Sequence, residues 1–559
     1  MERGIAMAKK SYRAIVVGAG AGGGVVAKQL AKKGISVLLL ERGDWPIYDE
    51  HINDELISQR TWVLGTAFGP DGEKHPRVMV RKDGSRDIVK PTDGWDYNHI
   101  ASCVGSGTVS YGAMAWRFMK EDFKMRSTYG DVQGSTLDDW PLSYDELEPY
   151  YEMAEWEIGV AGDDAQNPFA PPRKKPHPMP PFEYNKEANV LNNAAKRLGL
   201  HPFPIPMLRN SVPYNGRPAC IRNRTCCGFA CPVDGKNGTQ NTSIPEAIKT
   251  GNCEIKTNCK VTEIIINDSG RAEGVRYFDD KDKGSEAFAD IVVIAASAIE
   301  SARLLLNSKS KLFPNGAGNN YDWVGRNLQG HAYTGAFGLF DYDILDYIGP
   351  GASLALCDYN HHNKGIIGGG LLANEFNRLP YLYTGVRPPG LKRWGKEHKD
   401  FQRFTYLRNS QVVGPIQEMP VFESRVQLDQ EIKDYWGMPV PALSGERHPL
   451  DHEHCKFLSA RAEEILIEAG AIETWQSVGG RGGPSGGQHQ MGTVRMGNDK
   501  TTSVVNKYGQ LHEIDNLFVA DGSVFVTGGG FNPVLTIMAI GYWVGDHIVD
   551  LWSGTGLKS

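Results

Sequence analysis

Seven residues, Gly18-Ala19-Gly20-Ala21-Gly22-Gly23-Gly24, constrain the fold of this chain more tightly than any others. Before them, Tyr12–Val17 (YRAIVV) has the continuous apolar character of a buried strand. After them, VVAKQLAKKG carries helical apolar spacing and stops at Gly34, and ISVLLLERG then reads as a second strand ending at Glu41. Gly18, Gly20 and Gly23 stand at GxGxxG spacing. In this setting the first glycine permits a tight turn, the second lets backbone approach a pyrophosphate, and the third lets helix and strand pack closely. The helix start offers unpaired N–H groups and the positive end of its dipole to phosphate. Glu41, 23 residues after Gly18, stands where a carboxylate binds ribose hydroxyls. That acid predicts an unphosphorylated ribose, so FAD or NAD rather than NADP.

At 559 residues the chain exceeds one compact core, and two packed domains are expected. A net charge of -6 without a long basic run gives no reason to expect nucleic acid or an anionic membrane as partner. The first residues are basic and run straight into the strand, without the apolar region of a secretory signal, so a cytoplasmic location is expected. The most apolar stretch, Pro533–Trp552, contains Asp546, His547 and Asp550 and reads as too broken for a membrane span. Nine cysteines are present, and four crowd into Cys220–Cys231.

Near the carboxy end stand GQHQMGTVRMG (Gly487–Gly497) and NLFVADGSVFVTGGGFNPVLTIMAIGYWVGDHI (Asn516–Ile548). The second reads as a strand at Leu517–Ala520, a glycine loop at Gly528–Gly530, and a helix opening at Asn532-Pro533, where proline suits the first helical position. The HxxGTxRMG, ADGS and NPVLTI stretches resemble the carboxy-terminal signature of the glucose–methanol–choline (GMC) oxidoreductase family. Val104–Thr108 with Ala115–Phe118, Ile294–Ala302 and Val324–Leu328 are similar to the family as well. Within it the chain most resembles bacterial FAD-linked sugar dehydrogenases and pyranose or glycoside oxidases, with Arg209–Cys220 pointing to the former.

The resemblance implies an α/β fold, α+β overall. A Rossmann-type FAD domain (residues 1–110, 210–330 and 480–559) accompanies a discontinuous substrate domain (111–209 and 331–479) on a mostly antiparallel sheet. It implies His489 as catalytic base and Asn532, 43 residues on, as its partner. An imidazole suits proton removal near neutral pH, and an amide donor stabilises a developing alkoxide. Cofactor contacts are implied for Gly18, Gly20, Gly23, Glu41, Arg42, Gly105, Gly107, Thr108, Val261, Ala295, Asp521, Gly522, Asn532 and Pro533. Some members tether FAD through a histidine within the segment matching Thr108–Tyr111. Here that segment has none, so non-covalent FAD is expected. His331 follows Gly330, where the family often has an acid, and is read as a domain-junction residue.

Cys220, Cys226, Cys227 and Cys231 give C-x5-C-C-x3-C. Four thiolates in twelve residues could hold an iron–sulfur cluster, as similar sugar dehydrogenases do, but this chain pairs its cysteines at a different place, and a metal-free loop is the preferred reading. Tyr381, Tyr383, Trp394 and Tyr406 are either sugar-stacking aromatics or core. Asn167–Phe182, dense in proline, reads as a stiff connector rather than a lid or subunit contact, and Arg481–Gly487 (RGGPSGG) as a mobile join. The expected activity is oxidation of a sugar or glycoside CH–OH to a ketone. The alternatives are a primary alcohol or polyol dehydrogenase, a non-redox lyase on the same fold, and a binding subunit without turnover. A carbohydrate substrate, oxygen or another electron acceptor, and an optional redox partner subunit complete the reading.

Overall fold

The computed structural model describes residues 11–48, 54–56, 67–97, 100–376, 378–480, 482–483, 485 and 487–554. The first ten residues, and Arg481, Pro484 and Gly486 of the glycine-rich join, lie outside the described residues. Three sheets organise the rest.

The largest has seven strands. Ser11–Val17 lies between Val37–Leu40 and Gly284–Ile294, parallel to both, with Cys253–Lys256 and Leu517–Val519 extending the parallel set. Ala272–Phe278 and Lys260–Ile266 continue it as an antiparallel meander. Ala14, Ile15 and Val16 are fully buried, as a parallel strand covered on both faces must be. Helix Ala21–Lys32 follows the first strand and packs on the carboxy-terminal helix Val534–Gly554.

That last helix corrects the sequence reading. It runs unbroken for 21 residues and is apolar and long enough to cross a bilayer by length and composition. Over half of its most apolar window is buried, however, against helices Ala21–Lys32 and Tyr144–Ala154. Its apolar character is that of a core helix.

The second sheet is antiparallel, in the order Glu473–Ser477, Tyr333–Leu339, Asn409–Pro415, Leu372–Asn374, Leu354–Leu356, Phe203–Pro204. Helix Pro449–Glu468 covers one face; Thr334 on that side bonds Ser459, 2.6 Å away. Alternation along the strands turns Tyr333, Val413, Gln411 and Ser477 the other way, into a cavity.

The strands of the first sheet come from 11–40, 253–294 and 517–519, and those of the second from 203–204 and 333–477. A third, four-stranded sheet joins Arg77–Val80 and Arg86–Val89 to Arg425–Lys433 and Pro439–Ser444. Its strands therefore lie on both sides of the domain division expected from sequence. The proline-dense segment is pinned along helix Tyr144–Ala154 and the turn after it: Arg173 pairs with Glu155 (3.0 Å) and Lys175 with Glu152 (2.7 Å).

Candidate active site

A cavity of about 1350 Å³ runs from the glycine loop to the exposed face of the antiparallel sheet, larger than a drug-sized ligand requires. At the loop, Gly18 has φ +101°, and a Cβ there would lie 2.3 Å from the Ala295 carbonyl oxygen. A Cβ on Gly22 would lie 1.7 Å from the Ala520 carbonyl oxygen, so only glycine lets the helix seat against the sheet. Gly20 is the N-cap and makes no side-chain cap bond. Gly20, Ala21 and Gly22 line the cavity, leaving first-turn N–H groups available to an anion there.

Glu41 accepts from the amides of Ala19 (2.9 Å) and Gly43 (3.0 Å) and keeps lone pairs for a ribose. Burial raises its pKa, and those amides oppose the rise. In the same cavity, part-buried Glu300 faces Arg42 (3.5 Å), Arg77 (3.0 Å), Lys260 (3.6 Å) and Arg303 (3.4 Å). Burial pushes the Glu300 carboxyl up, but these cations hold it well below the usual range. Burial and then Arg303 pull Lys260 down to about 7. Asp521 accepts from the Ser297 amide (2.9 Å), Ser301 Oγ (2.6 Å) and the Ser523 amide (2.8 Å), which fixes the turn carrying Gly522.

Of the cofactor residues expected from sequence, Gly18, Gly20, Glu41, Arg42, Gly107, Thr108, Val261, Ala295, Asp521, Gly522, Asn532 and Pro533 line the cavity. Gly23 and Gly105 do not. Gly23 faces the Gly18 carbonyl and Gly105 the Gln240 side chain, both behind the wall. The glycine cradle, the free helix start and the ribose-side acid suit FAD.

His489 and Asn532 meet elsewhere in the same cavity, with Asn532 Nδ2 3.4 Å from His489 Nε2 and 3.1 Å from the Tyr333 hydroxyl. His331 joins them: its Nδ1 is 2.8 Å from His489 Nδ1, and the rings cross at 81°. The domain-junction reading of His331 is thus corrected.

The hydrogen bonds fix the tautomers. His331 Nε2 lies 2.9 Å from the Gly529 carbonyl and 3.3 Å from that of Gly528. Carbonyls only accept, so Nε2 carries the proton. Burial lowers the His331 pKa, against the opposing charge of Glu418, so the ring is neutral near pH 7 and Nδ1 holds a lone pair. His489 must therefore donate from its own Nδ1, which leaves its Nε2 lone pair toward Asn532. Glu418, bonded to Arg447 (2.9 Å), accepts the Gly330 amide (3.2 Å) and anchors the chain just before His331.

Sequence reasoning missed Tyr333 and the role of His331. No local signal pointed to them: Tyr333 opens the strand Tyr333–Leu339, while His331 lies before it and meets His489 only through the fold. Among the four aromatics, Tyr381 lines the cavity. Tyr383 is buried and bonded to Thr405 (2.7 Å), Tyr406 packs edge-on against it, and Trp394 is 77% exposed; none of these three lines the cavity. Among the described residues no three of His, Cys, Asp or Glu converge as a metal site, the four clustered cysteines included. Lys236 instead organises that loop, bonding the carbonyls of Cys226 (3.0 Å) and Phe229 (2.7 Å).

Fold and site together define a Rossmann-type flavin oxidoreductase whose cavity brings an imidazole and a carboxamide together. The chain belongs to the GMC oxidoreductase family: the family's amino-terminal part matches residues 102–333 and its carboxy-terminal part 420–541, and an NAD(P)-binding Rossmann-like domain matches 16–57. It is an FAD-dependent oxidoreductase acting on CH–OH donors. It is similar to 2-methyl-1,2-propanediol dehydrogenase of Mycolicibacterium austroafricanum, at 31% identity over 96% of this chain and 94% of that one. It is also similar to the fructose dehydrogenase large subunit of Gluconobacter japonicus, at 28% identity over 96% and 97%. The fold matches the crystal structure of pyridoxine 4-oxidase from Mesorbium loti with a TM-score of 0.61 at 15% identity, over 96% and 99% of the two chains.

Proposed function

We propose that this enzyme oxidises a ring CH–OH group of a sugar or glycoside to the ketone, with FAD held non-covalently. One observation carries the reading: a single cavity contains both the glycine-rich helix start and the His489–Asn532 pair. The substrate hydroxyl enters between His489 Nε2 and Asn532 Nδ2. His489 takes its proton, and Asn532 donates to the same oxygen as alkoxide character develops. Bound FAD supplies the acceptor for the hydride leaving the carbon. Tyr333 orients the Asn532 amide through its hydroxyl. The histidine-free segment Thr108–Tyr111 supports non-covalent attachment.

Anaerobic addition of glucose or a glucoside to the flavin-loaded protein tests the reading. Bleaching of the flavin with formation of a keto-sugar is expected. A second reading, oxidation of a primary alcohol or polyol, is favoured by the relative named for a diol, and bleaching by 1,2-diols alone would establish it instead. Acid precipitation should release the yellow flavin; flavin retained by the pellet would overturn the non-covalent assignment. The electron acceptor is oxygen or another oxidant, a partner subunit included, and peroxide yield against dye reduction separates these. The cytoplasmic location and the sequence-based domain limits are parts of the same proposal.

A further inference from the structure

Away from His489, the cavity wall holds two arginines that its own carboxylates leave without a counter-ion. Arg378 lies over the Phe337 ring, 5.4 Å from its centroid, and its Nη2 bonds the Gln411 side-chain oxygen. Its buried Nε has no partner. Glu375 is the carboxylate that acts on it, but that side chain accepts the Phe376 amide (2.7 Å), and among the described residues no carboxylate makes an ion pair with Arg378. Arg224 reaches the Arg378 carbonyl (3.2 Å) and lies over Tyr347, and its Nε is likewise buried without a partner. Burial lowers the pKa of both guanidiniums, as expected where charge is held without full compensation.

The sheet register sets the distance of this feature from the reacting group. Tyr333, bonded to Asn532, pairs with Pro415, while Phe337 pairs with Gln411. Four residues of antiparallel strand separate the two rows, about 14 Å. A single pyranose ring seated at His489 does not reach Arg378, whereas a glycoside carrying a second unit does. Glu55 acts on Arg224 as Glu375 acts on Arg378, but Glu55 is taken up by the Tyr381 and Leu382 amides (2.8 Å each), so among the described residues neither guanidinium has a carboxylate in an ion pair. Two guanidiniums lining the cavity without an ion pair suit a carboxylate.

Resting on the sugar reading above, we propose that Arg378 and Arg224 form a distal subsite for a carboxylate on the aglycone or second unit of the glycoside. Arginine forks bind carboxylates with paired, charge-assisted hydrogen bonds.

The test uses the flavin-loaded enzyme with four glucosides: methyl, 4-carboxyphenyl, 4-carbamoylphenyl and 4-(aminomethyl)phenyl. The carboxylate should show a KM about tenfold or more below that of its neutral carbamoyl isostere, in line with a hydrogen bond to a charged group. Arg378→Gln should abolish that difference and leave the methyl glucoside unchanged. Arg224→Gln should reduce it, which keeps the test intact if the first variant misfolds. Equal KM values for the carboxylate and the carbamoyl compound in the unmodified enzyme would overturn the subsite, as would preference for the amine, which would assign recognition to Glu375. Failure of every glucoside to bleach the flavin would overturn the sugar reading, and the subsite with it. Bleaching by all four without discrimination would remove the subsite alone.

Discussion

Replacing His331 probes the site more sharply than replacing any residue expected to touch substrate. His331→Leu removes the acceptor for the His489 Nδ1–H and the donor to the Gly528 and Gly529 carbonyls. His489 then loses the bond that fixes its tautomer. A buried donor left unpaired costs about 1–3 kcal/mol, which, felt in the transition state, is about a 5- to 150-fold loss of kcat. His331→Gln restores both functions, because its amide oxygen can accept from His489 while its nitrogen donates to Gly529. Single-turnover flavin reduction should therefore be slow in the leucine variant and within about threefold of the original in the glutamine variant, less than one buried hydrogen bond is worth. KM should change little, since His331 reaches substrate only through His489. The pH profile gives a second readout. Burial lowers the His331 pKa below 6.5, so the neutral ring persists below pH 6.5 and is lost as pH falls through the depressed pKa. Protonation there sets N–H against N–H, and the acid limb it causes should disappear in His331→Gln. Equal rates in both variants, with full flavin content, would refute the tautomer argument.

Stability offers two independent checks. Buried Glu187 has its pKa raised to about 7 by burial, while Ser410 (2.6 Å) and Asn374 (2.8 Å) oppose the rise. A raised carboxyl stabilises the fold below the unfolded pKa of 4.5, and that contribution is lost as pH rises through 7. Glu187→Gln can keep the Asn374 bond through its oxygen and donate to the Ser410 hydroxyl from its nitrogen, and should stabilise the protein by about 3 kcal/mol above pH 8 and by nothing below pH 4, measured by urea unfolding. Gly22→Ala drives a Cβ against the Ala520 carbonyl and should destabilise by about 1–3 kcal/mol, with reduced flavin content.

The nucleotide half of the site was legible because its physics is local. Strand, glycine turn, helix start and acid occupy Tyr12–Glu41, although Gly18 and Gly22 seat against Ala295 and Ala520, far along the chain. The helix at Asn532-Pro533 was legible through its proline and glycine loop, although three polar residues hid its continuity through Asp546 and His547. His331 was not legible, because its partner lies 158 residues away and the protons are assigned by carbonyls at Gly528 and Gly529. The distal arginines were equally hidden: only the pairing of Phe337 with Gln411 brings Arg378 into register with the site. Aromatic content alone left Tyr381, Tyr383, Trp394 and Tyr406 open between sugar stacking and core, since the type of side chain does not tell which face of an element it occupies.

The rate of flavin reduction in a single anaerobic turnover, compared between the unmodified enzyme and His489→Asn, tests the assignment of the base most directly. With flavin content equal, the asparagine variant should be slower by about 10²- to 10⁴-fold, the usual contribution of a positioned general base. Reduction at the unmodified rate would mean that the proton leaves by another route and that His489 is not the base.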